Sequence, residues 1–213
     1  MTRLIAIRHG ETAWNVDTRI QGQLDIGLND KGLWQARCVG RALVDEPVSV
    51  IYASDLSRAW QTAQEIAQRL TTAARIVPEP RLRERAFGAF EGRTFSEIEA
   101  EQPEAALRWR RRDPHFAPLG GETLIDFRSR VTAVTDELAA RHPGELVVFV
   151  AHGGVMDVLY RAATRQDLVA QRTWRLDNAA INRMLWTPQG LSLVGWGDDA
   201  HLAEGATLDE TCT

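Results

Sequence analysis

The chain has few cysteines, no long apolar run and a single lysine, Lys31, among its basic residues. Its longest apolar run, Leu146–Ala151, has six residues, whereas a bilayer-spanning helix needs about 20. Only residues 4–7 are apolar near the N-terminus, too few for the roughly 7–15 apolar residues of a secretory signal. Cys38 and Cys212 are too few for a disulfide framework and too far apart for a metal knuckle. These absences predict a soluble, cytoplasmic protein.

Charge and composition narrow the class of protein further. The 213 residues carry 25 Lys+Arg and 29 Asp+Glu, a formal net charge of −4, so no global positive field favours nucleic acid or an anionic membrane. The composition, 44% hydrophobic and 25% charged, is that of an ordinary globular protein and excludes a disordered one. Nearly all basic residues are arginine, whose planar donor fork suits phosphate and carboxylate.

Apolar strand patterns alternate with helical patterns along the chain. Strands are predicted at residues 4–7, 48–53, 75–77, 146–151, 180–186 and 191–196, and helices at residues 29–44, 57–71, 95–111, 124–141 and 154–164. This alternation predicts an α/β fold of three layers, a mostly parallel central sheet flanked by helices. One domain is predicted over residues 1–197, with a lid or insertion around residues 91–121. Residues 198–213 are acidic and are predicted to form a solvated C-terminal tail.

Two histidines occupy matching positions. His9 directly follows the first predicted strand, and His152 directly follows the apolar strand of residues 146–151. Ligands bind outside the carboxyl ends of the strands in open α/β sheets, so both imidazoles face one crevice if the two strands are neighbours. Each histidine precedes a glycine, such as Gly153, that exposes backbone N–H groups suited to an anion. One such histidine would most simply cap or pack, but the pair favours a functional site.

Arg58 lies in the first turn of the helix that follows the second predicted strand, for which Asp55 is the predicted cap. Cations are disfavoured at a helix N-terminus because the helix dipole is positive there. The arginine is therefore either exposed to solvent or held in place for an anion that it shares with the helix end. The sequence alone leaves both alternatives open.

Five motifs, in order, carry a family resemblance. They are Arg-His-Gly-Glu-Thr at residues 8–12, Ser-Asp-Leu-Ser-Arg-Ala-Trp-Gln-Thr-Ala at 54–63, Leu-Arg-Glu-Arg-Ala-Phe-Gly-Ala-Phe-Glu-Gly at 82–92, Gly-Gly-Glu-Thr at 120–123 and Ala-His-Gly-Gly at 151–154. Together they resemble the histidine phosphatase superfamily, in the branch that contains cofactor-dependent phosphoglycerate mutases and related phosphatases. The matches extend over nearly the whole chain.

The resemblance implies that His9 is the nucleophile and carries the phosphoryl group as phosphohistidine. Arg8, Arg58 and His152 would surround the non-bridging oxygens, and Asn15 would add a neutral donor. Phosphoryl transfer depends mainly on positioning and charge stabilisation, which this set of donors supplies without a metal. His152 would act best as an imidazolium, a state that a bound phosphate dianion favours.

The same resemblance implies substrate contacts from Gln21 and Gly22, in a segment that lies over the bound phosphate. It also implies that Glu84 is the general acid, which protonates the departing alkoxide and then takes a proton from the attacking water. That carboxyl must be partly protonated near neutral pH, through burial or a nearby phosphate charge. A surface glutamate paired with Arg83 or Arg85 is the simpler interpretation from the residues alone, and Glu91 is a competing candidate for the acid.

Arg110, Arg111 and Arg112 follow one another near the end of a predicted helix. They either bind a second phosphate or a carboxylate at the crevice mouth, or form a solvated helix end where cations suit the dipole. The resemblance implies that mutases carry a longer insertion here, with a basic pair that holds the substrate carboxylate and a lid that excludes water. Only 67 residues separate Glu84 from His152, which favours a phosphatase because water exclusion distinguishes transfer from hydrolysis.

The favoured function is a phosphomonoester hydrolase that acts through phosphohistidine on a small phosphorylated metabolite. The alternative is a phosphoglycerate mutase, which would need 2,3-bisphosphoglycerate as a primer; otherwise no cofactor and no metal are expected. A non-catalytic protein that binds phosphorylated ligands is disfavoured, because every catalytic candidate is present. No nucleic-acid or membrane partner is expected, and the resemblance makes a homodimer one option for the oligomeric state.

Overall fold

A six-stranded sheet in the order β3-β2-β4-β1-β5-β6 forms the middle layer of the computed structural model, which describes residues 1–206. The strands are β1 (Thr2–Arg8), β2 (Val48–Ala53), β3 (Arg75–Pro78), β4 (Leu146–Ala151), β5 (Ile181–Thr187) and β6 (Gly190–Asp198). β1, β2, β3 and β4 are parallel, and β5 and β6 form an antiparallel hairpin beside β1. Since β1 pairs with β4 up to Arg8 and Ala151, the residues that follow these two strands leave the sheet side by side.

Helices cover both faces of the sheet. They are α1 (Ala13–Val16), α2 (Asp30–Ala42), α3 (Ser57–Ala67), α4 (Phe95–Glu101), α5 (Pro103–Arg110), α6 (Leu124–Ala140), α7 (Gly153–Thr164) and α8 (Ala200–Ala206). Successive strand residues point to opposite faces, so Val148 joins the core formed with α2 and α3, whereas Phe149 joins the core formed with α6 and α7. Every residue of β4 is buried, as expected of a central strand covered on both sides. The predicted three-layer α/β fold is confirmed.

The predicted lid has a small core of its own. The buried residues of this core are Phe90, Ile98, Ala106 and Phe116. The prediction of one helix over residues 95–111 is wrong, because α4 ends before Gln102 and α5 begins at Pro103. Proline disfavours the helical conformation of the residue before it. Gln102, which precedes Pro103, accordingly has non-helical dihedral angles, φ −136° and ψ 62°. Pro103 then occupies the first turn of α5, where its missing N–H costs nothing.

The cap of α3 also differs from the prediction. Asp55 does not cap the helix, because its carboxylate accepts 2.6 Å and 2.5 Å hydrogen bonds from the guanidinium of Arg83. Instead, Asp25 accepts from the backbone N–H of Ser57 at 2.7 Å and from its hydroxyl at 2.8 Å. The N-terminus of α3 is therefore capped from a loop that lies 32 residues earlier in the chain.

Part of the predicted tail is structured. β6 extends to Asp198, and residues 200–206 form α8, which contacts α2. His201 of this helix lies 3.0 Å from the carbonyl oxygen of Ala179 through its Nε2 atom. Residues 198–206 of the predicted tail, except Asp199, thus belong to β6 and α8, and residues 207–213 lie outside the described part of the chain. Within that part, no helix is both long and apolar enough to span a bilayer.

Candidate active site

The carboxyl ends of three adjacent strands bring the two predicted histidines together. His9 follows β1, His152 follows β4, and Ser54 follows β2, which pairs with β4. The rings of His9 and His152 have centroids 5.2 Å apart and meet edge to face at 60°. Both histidines are buried, with 3% and 0% of their surface exposed. The two strands are neighbours, as the common crevice required.

His9 is held as a neutral imidazole. Its Nδ1 lies 2.7 Å from the carbonyl oxygen of Gly10, and because a carbonyl only accepts, Nδ1 carries the proton and Nε2 keeps its lone pair. Burial lowers the pKa of His9 well below its ordinary value, and the positive charges of Arg58 and Arg8 lower it further. This is the form that a nitrogen nucleophile requires.

His152 is also neutral in the absence of a bound anion. Burial lowers its pKa well below the ordinary value, and Arg58 and His9 add to that effect. Its Nε2 lies 2.8 Å from Ser54 Oγ, while its Nδ1 is buried and has no hydrogen-bond partner in the described part of the chain. The imidazolium expected during catalysis therefore has to be produced by the charge of the bound phosphoryl group.

Arg58 is buried, which excludes the solvent-exposed alternative left by the sequence. Only 1% of its surface is accessible, and burial lowers its pKa to about 10, so that it stays charged near neutral pH. It donates hydrogen bonds to the carbonyl oxygens of Gly22 (2.7 Å) and Leu24 (2.8 Å). The Nε atoms of Arg58 and of Arg8 are both buried without a partner in residues 1–206, which leaves donors for an anion.

Glu91 holds the segment that carries Gln21 and Gly22. The Oε1 atom of Glu91 accepts hydrogen bonds from the backbone N–H groups of Gln23 (3.0 Å) and Phe87 (2.9 Å). Gly22 has φ +53°, and a Cβ there would lie 2.1 Å from the same oxygen. Because Glu91 is committed to this turn, it is a poor candidate for the general acid.

Glu84 is oriented by backbone donors on both carboxylate oxygens. Oε2 accepts from the N–H of Gly154 at 2.9 Å, at the N-terminus of α7, and Oε1 accepts from Arg85 at 2.8 Å. The predicted pairing of Glu84 with Arg83 or Arg85 side chains is absent among the described contacts: Arg83 binds Asp55, and Arg85 donates to backbone carbonyls. Glu84 instead lines the crevice.

Three adjoining cavities extend outward from the histidines. The inner cavity, of about 210 Å³, is lined by Arg8, His9, Asn15, Arg19, Ile20, Gln21, Gly22, Arg58, Glu84, Phe87, Trp109 and Gly153. The middle cavity, of about 430 Å³, shares Arg8, Glu84, Phe87, Trp109 and Gly153 with it. The outer cavity, of about 480 Å³, is lined by Arg85, Trp109, Arg110, Arg111, Arg112, Leu124, Val169, Gln171 and Arg172. Glu84 therefore lies where the inner cavity meets the middle one.

The side-chain amide of Asn15 lines the inner cavity. Its Oδ1 accepts from the N–H of Thr12 at 3.0 Å and from the Thr12 hydroxyl at 3.1 Å, as part of the cap of α1. Within residues 1–206 its Nδ2 has no hydrogen-bond partner, so the amide can donate to a ligand. The structure thus brings Asn15 next to the charged donors predicted for the phosphoryl group.

The three consecutive arginines do not form one clamp. Arg110 binds Glu99 at 2.7 Å and stacks over the ring of Phe95, so its predicted role as a substrate contact finds no support in this geometry. Arg112 binds Asp157 at 2.7 Å. Arg111 is exposed, lines the outer cavity, and has no ion pair among the described residues.

Comparisons with known proteins identify the family of this chain. The sequence profile of the histidine phosphatase superfamily (branch 1) matches residues 4–199. The chain belongs to this superfamily. It is 37% identical over 209 residues to phosphoglycerate mutase-like protein 4 of Arabidopsis thaliana, a match covering 96% of this chain and 89% of that protein.

Two further relatives are named as phosphatases. This histidine phosphatase superfamily member is 34% identical over 206 residues to the metal-independent phosphoserine phosphatase of Arabidopsis thaliana, covering 95% of the chain and 84% of the relative. The solved structure of a mycobacterial glucosyl-3-phosphoglycerate phosphatase with VO3 superposes with a TM-score of 0.81 at 33% identity, covering 92% and 99% of the two chains. The protein is an enzyme of this superfamily. Among the residues described, no group of three or more His, Cys, Asp or Glu could hold a metal ion.

Sequence reasoning missed several residues that build the site of this histidine phosphatase. Asn178 donates its Nδ2 to the carbonyl oxygen of His9 at 2.8 Å, and Ser54 contacts His152. Arg172 is exposed and lines the middle and outer cavities. Ser54 could have been found, since it directly follows a strand in a recognised motif. Asn178 and Arg172 lie in a loop without a pattern, so only the tertiary fold reveals them.

Proposed function

We propose that the protein is a phosphomonoester hydrolase that forms a phosphohistidine at His9. The observation that carries this proposal is the state of His9, a buried neutral imidazole whose Nδ1 is bound to Gly10. It shares a small cavity with Arg8 and Arg58, whose Nε atoms lack partners. A tetrahedral phosphoryl group is the ligand that would satisfy these donors.

In the first half of the proposed reaction, Nε2 of His9 attacks phosphorus and the bond to the substrate oxygen breaks. The leaving oxygen takes a proton from Glu84, which lies between the inner and middle cavities. Arg8, Arg58 and a protonated His152 would stabilise the charge on the equatorial oxygens. The products of this half are the dephosphorylated alcohol and phosphohistidine.

In the second half, water attacks phosphorus and the phosphorus–nitrogen bond breaks. Glu84, now a carboxylate, accepts a proton from the water, and His9 leaves as a neutral imidazole. Inorganic phosphate then departs through the middle and outer cavities, which reach exposed residues such as Arg111 and Arg172. The same opening supports hydrolysis over transfer, because water has a route to the phosphohistidine. Relatives named as phosphatases support this choice.

The positive charge of the outer cavity indicates the class of substrate. The cavity is lined by five arginines and by no carboxylate. Arg85, Arg110 and Arg112 are bound to protein acceptors, which leaves Arg111 and Arg172 for a ligand. We therefore propose a small phosphorylated metabolite that carries a second anionic group, such as a carboxylate, away from the phosphoester.

A ³¹P NMR time course tests the proposed activity. The protein is mixed with 3-phosphoglycerate, a trace of 2,3-bisphosphoglycerate and a panel of other phosphomonoesters, half of them with a second anionic group. Inorganic phosphate should grow without 2-phosphoglycerate, and substrates with two anionic groups should decay fastest. Growth of 2-phosphoglycerate without inorganic phosphate would identify a mutase instead.

A further inference from the structure

Arg130 of α6 is absent from the residues that line the inner, middle and outer cavities, yet it binds the backbone that carries Glu84. Its Nη1 donates to the carbonyl oxygens of Arg81 at 2.7 Å and Arg83 at 3.0 Å. Its Nη2 lies 3.4 Å from the carbonyl oxygen of Glu84 itself. One guanidinium thus spans the turn that leads into Glu84.

Glu122 fixes the guanidinium of Arg130 from the other side. Its two carboxylate oxygens accept from Nε at 3.0 Å and from Nη2 at 2.8 Å, a bidentate pair. Both side chains are mostly buried, with 22% and 17% exposed. The backbone of Glu122 also donates to Ala86 at 2.8 Å and accepts from Arg85 Nε at 2.9 Å. Residues 81–86 are therefore held against one rigid frame.

We infer that Arg130, locked by Glu122, is a positioning residue that holds Glu84 at the distance from which it can protonate the leaving oxygen. The planar fork of a guanidinium has five N–H donors on three nitrogens and serves several carbonyls and a carboxylate at once, whereas an ammonium has three donors on a single nitrogen and cannot reproduce this arrangement. The inference rests on the proposed function, since it concerns the acid step. A shift of about 1 Å in a catalytic group is enough to reduce a rate by about 10²-fold.

The leaving group distinguishes positioning from a merely structural role. Alkyl phosphates need a proton on the departing oxygen, whereas aryl phosphates such as 4-nitrophenyl phosphate leave without one. If Arg130 positions Glu84, R130K should lower kcat/KM on an alkyl phosphate by about 10-fold or more and on 4-nitrophenyl phosphate by less than about 3-fold. The ratio kcat/KM is the rate to compare, because it reports the first half of the reaction and not the hydrolysis of phosphohistidine that both substrates share. E122Q should show the same selectivity to a smaller degree. A structural role would reduce both rates alike.

Three further variants complete the test. E84Q should show the same selectivity at larger size, and R130K should cause no additional loss in the E84Q background. R37K serves as the matched control, because Arg37 is a half-exposed arginine that also binds a glutamate, Glu65, and should leave both rates unchanged. If R130K does not fold, as judged by circular dichroism, E122Q alone decides.

The outcomes distinguish the acid role of Glu84 from the positioning role of Arg130. Equal losses on both substrates for E84Q would contradict the acid role in the proposed function. A selective loss for E84Q, together with equal losses or no loss for R130K and E122Q, would overturn the positioning role of Arg130 alone. Additive losses in the E84Q R130K double variant would also overturn it.

Discussion

The inner and outer cavities of this enzyme are built in opposite ways. The inner one lies at the ends of β1 and β4, and its charged donors Arg8 and Arg58 each have a buried Nε atom with no partner among the described residues. The outer one lies under the lid and the loop before β5, and its free arginines, Arg111 and Arg172, are exposed. Preorganised, desolvated donors are strong and suit the chemical step, whereas exposed cations bind weakly and tune substrate choice.

The inner and outer cavities are therefore expected to affect different steps of the reaction. Changes in the inner cavity should alter the chemical step by orders of magnitude, and changes in the outer cavity should alter substrate binding by about tenfold at most.

The largest effect is expected from His9→Ala. Removing the nucleophile should lower hydrolysis by about 10⁴-fold or more and abolish the phosphoenzyme. The fold should persist, because the one hydrogen bond of the side chain among the described contacts goes to the neighbouring Gly10. Steady-state kinetics with circular dichroism as the folding control check this. Hydrolysis at nearly the wild-type rate would contradict the mechanism.

Gly154→Ala should displace Glu84, the proposed general acid, although the two residues lie 70 positions apart in the sequence. A Cβ at Gly154 would lie 2.2 Å from Glu84 Oε1 and 3.0 Å from Phe127, so the carboxyl must move. The kcat/KM on alkyl phosphates should fall by about 10²-fold, and the kcat/KM on 4-nitrophenyl phosphate far less. Gly195→Ala is the control, because a Cβ there has no neighbour within 4 Å. Unchanged selectivity in Gly154→Ala would argue against this position of the acid.

Stability should fall as the pH falls below about 6.5, and the inner cavity should be the reason. The pKa values of His9 and His152 are lowered in the folded protein by burial. Below their unfolded value of about 6.5 the unfolded chain therefore binds more protons, which favours unfolding by about 1.4 kcal/mol per histidine per pH unit. Urea unfolding at pH 7.5 and 5.5 measures this loss. His152→Asn should reduce it, while His9 and His201, whose pKa values are also lowered by burial, keep their contributions. Equal free energies of unfolding at both pH values would contradict the burial argument.

The smallest effect is expected in the outer cavity. Arg172→Ala should raise KM by about 3- to 10-fold for a substrate with a second anionic group and leave kcat unchanged. It should not affect 4-nitrophenyl phosphate, which has no second anion. Arg110→Ala is the control, because Arg110 is already bound to Glu99. A large loss in kcat for Arg172→Ala would erase the distinction between the two cavities.

The sequence predicted the inner cavity well because its residues follow from rules of position. His9 and His152 end apolar strands, and ligands collect at those ends. The neighbouring placement of β1 and β4 then brought both histidines together. Glu84 was placed in a site through family resemblance, and its contact with Gly154 could not be read from a distance of 70 residues.

The lid was predicted less well because its contacts are tertiary. The ion pair of Arg110 with Glu99 and its contact with Phe95 were not predicted, because these residues lie on the preceding helix α4, and the break at Gln102 brings them within reach. The proline that marks this break was visible in the sequence. No sequence pattern indicated that Arg172 lines the outer cavity together with Arg111. A cytoplasmic location, a homodimer and the absence of nucleic-acid or membrane partners stay predictions.

The most direct test of the mechanism is to trap the phosphorylated residue. Enzyme mixed with a fast aryl phosphate is quenched in alkali within milliseconds, digested, and analysed by mass spectrometry, with an acid quench as control because phosphohistidine is acid-labile. The account predicts one alkali-stable, acid-labile phosphate on the peptide that contains His9, and none in His9→Ala. A phosphate on His152 or on another residue, or turnover without any phosphoenzyme under conditions that give a product burst, would contradict it.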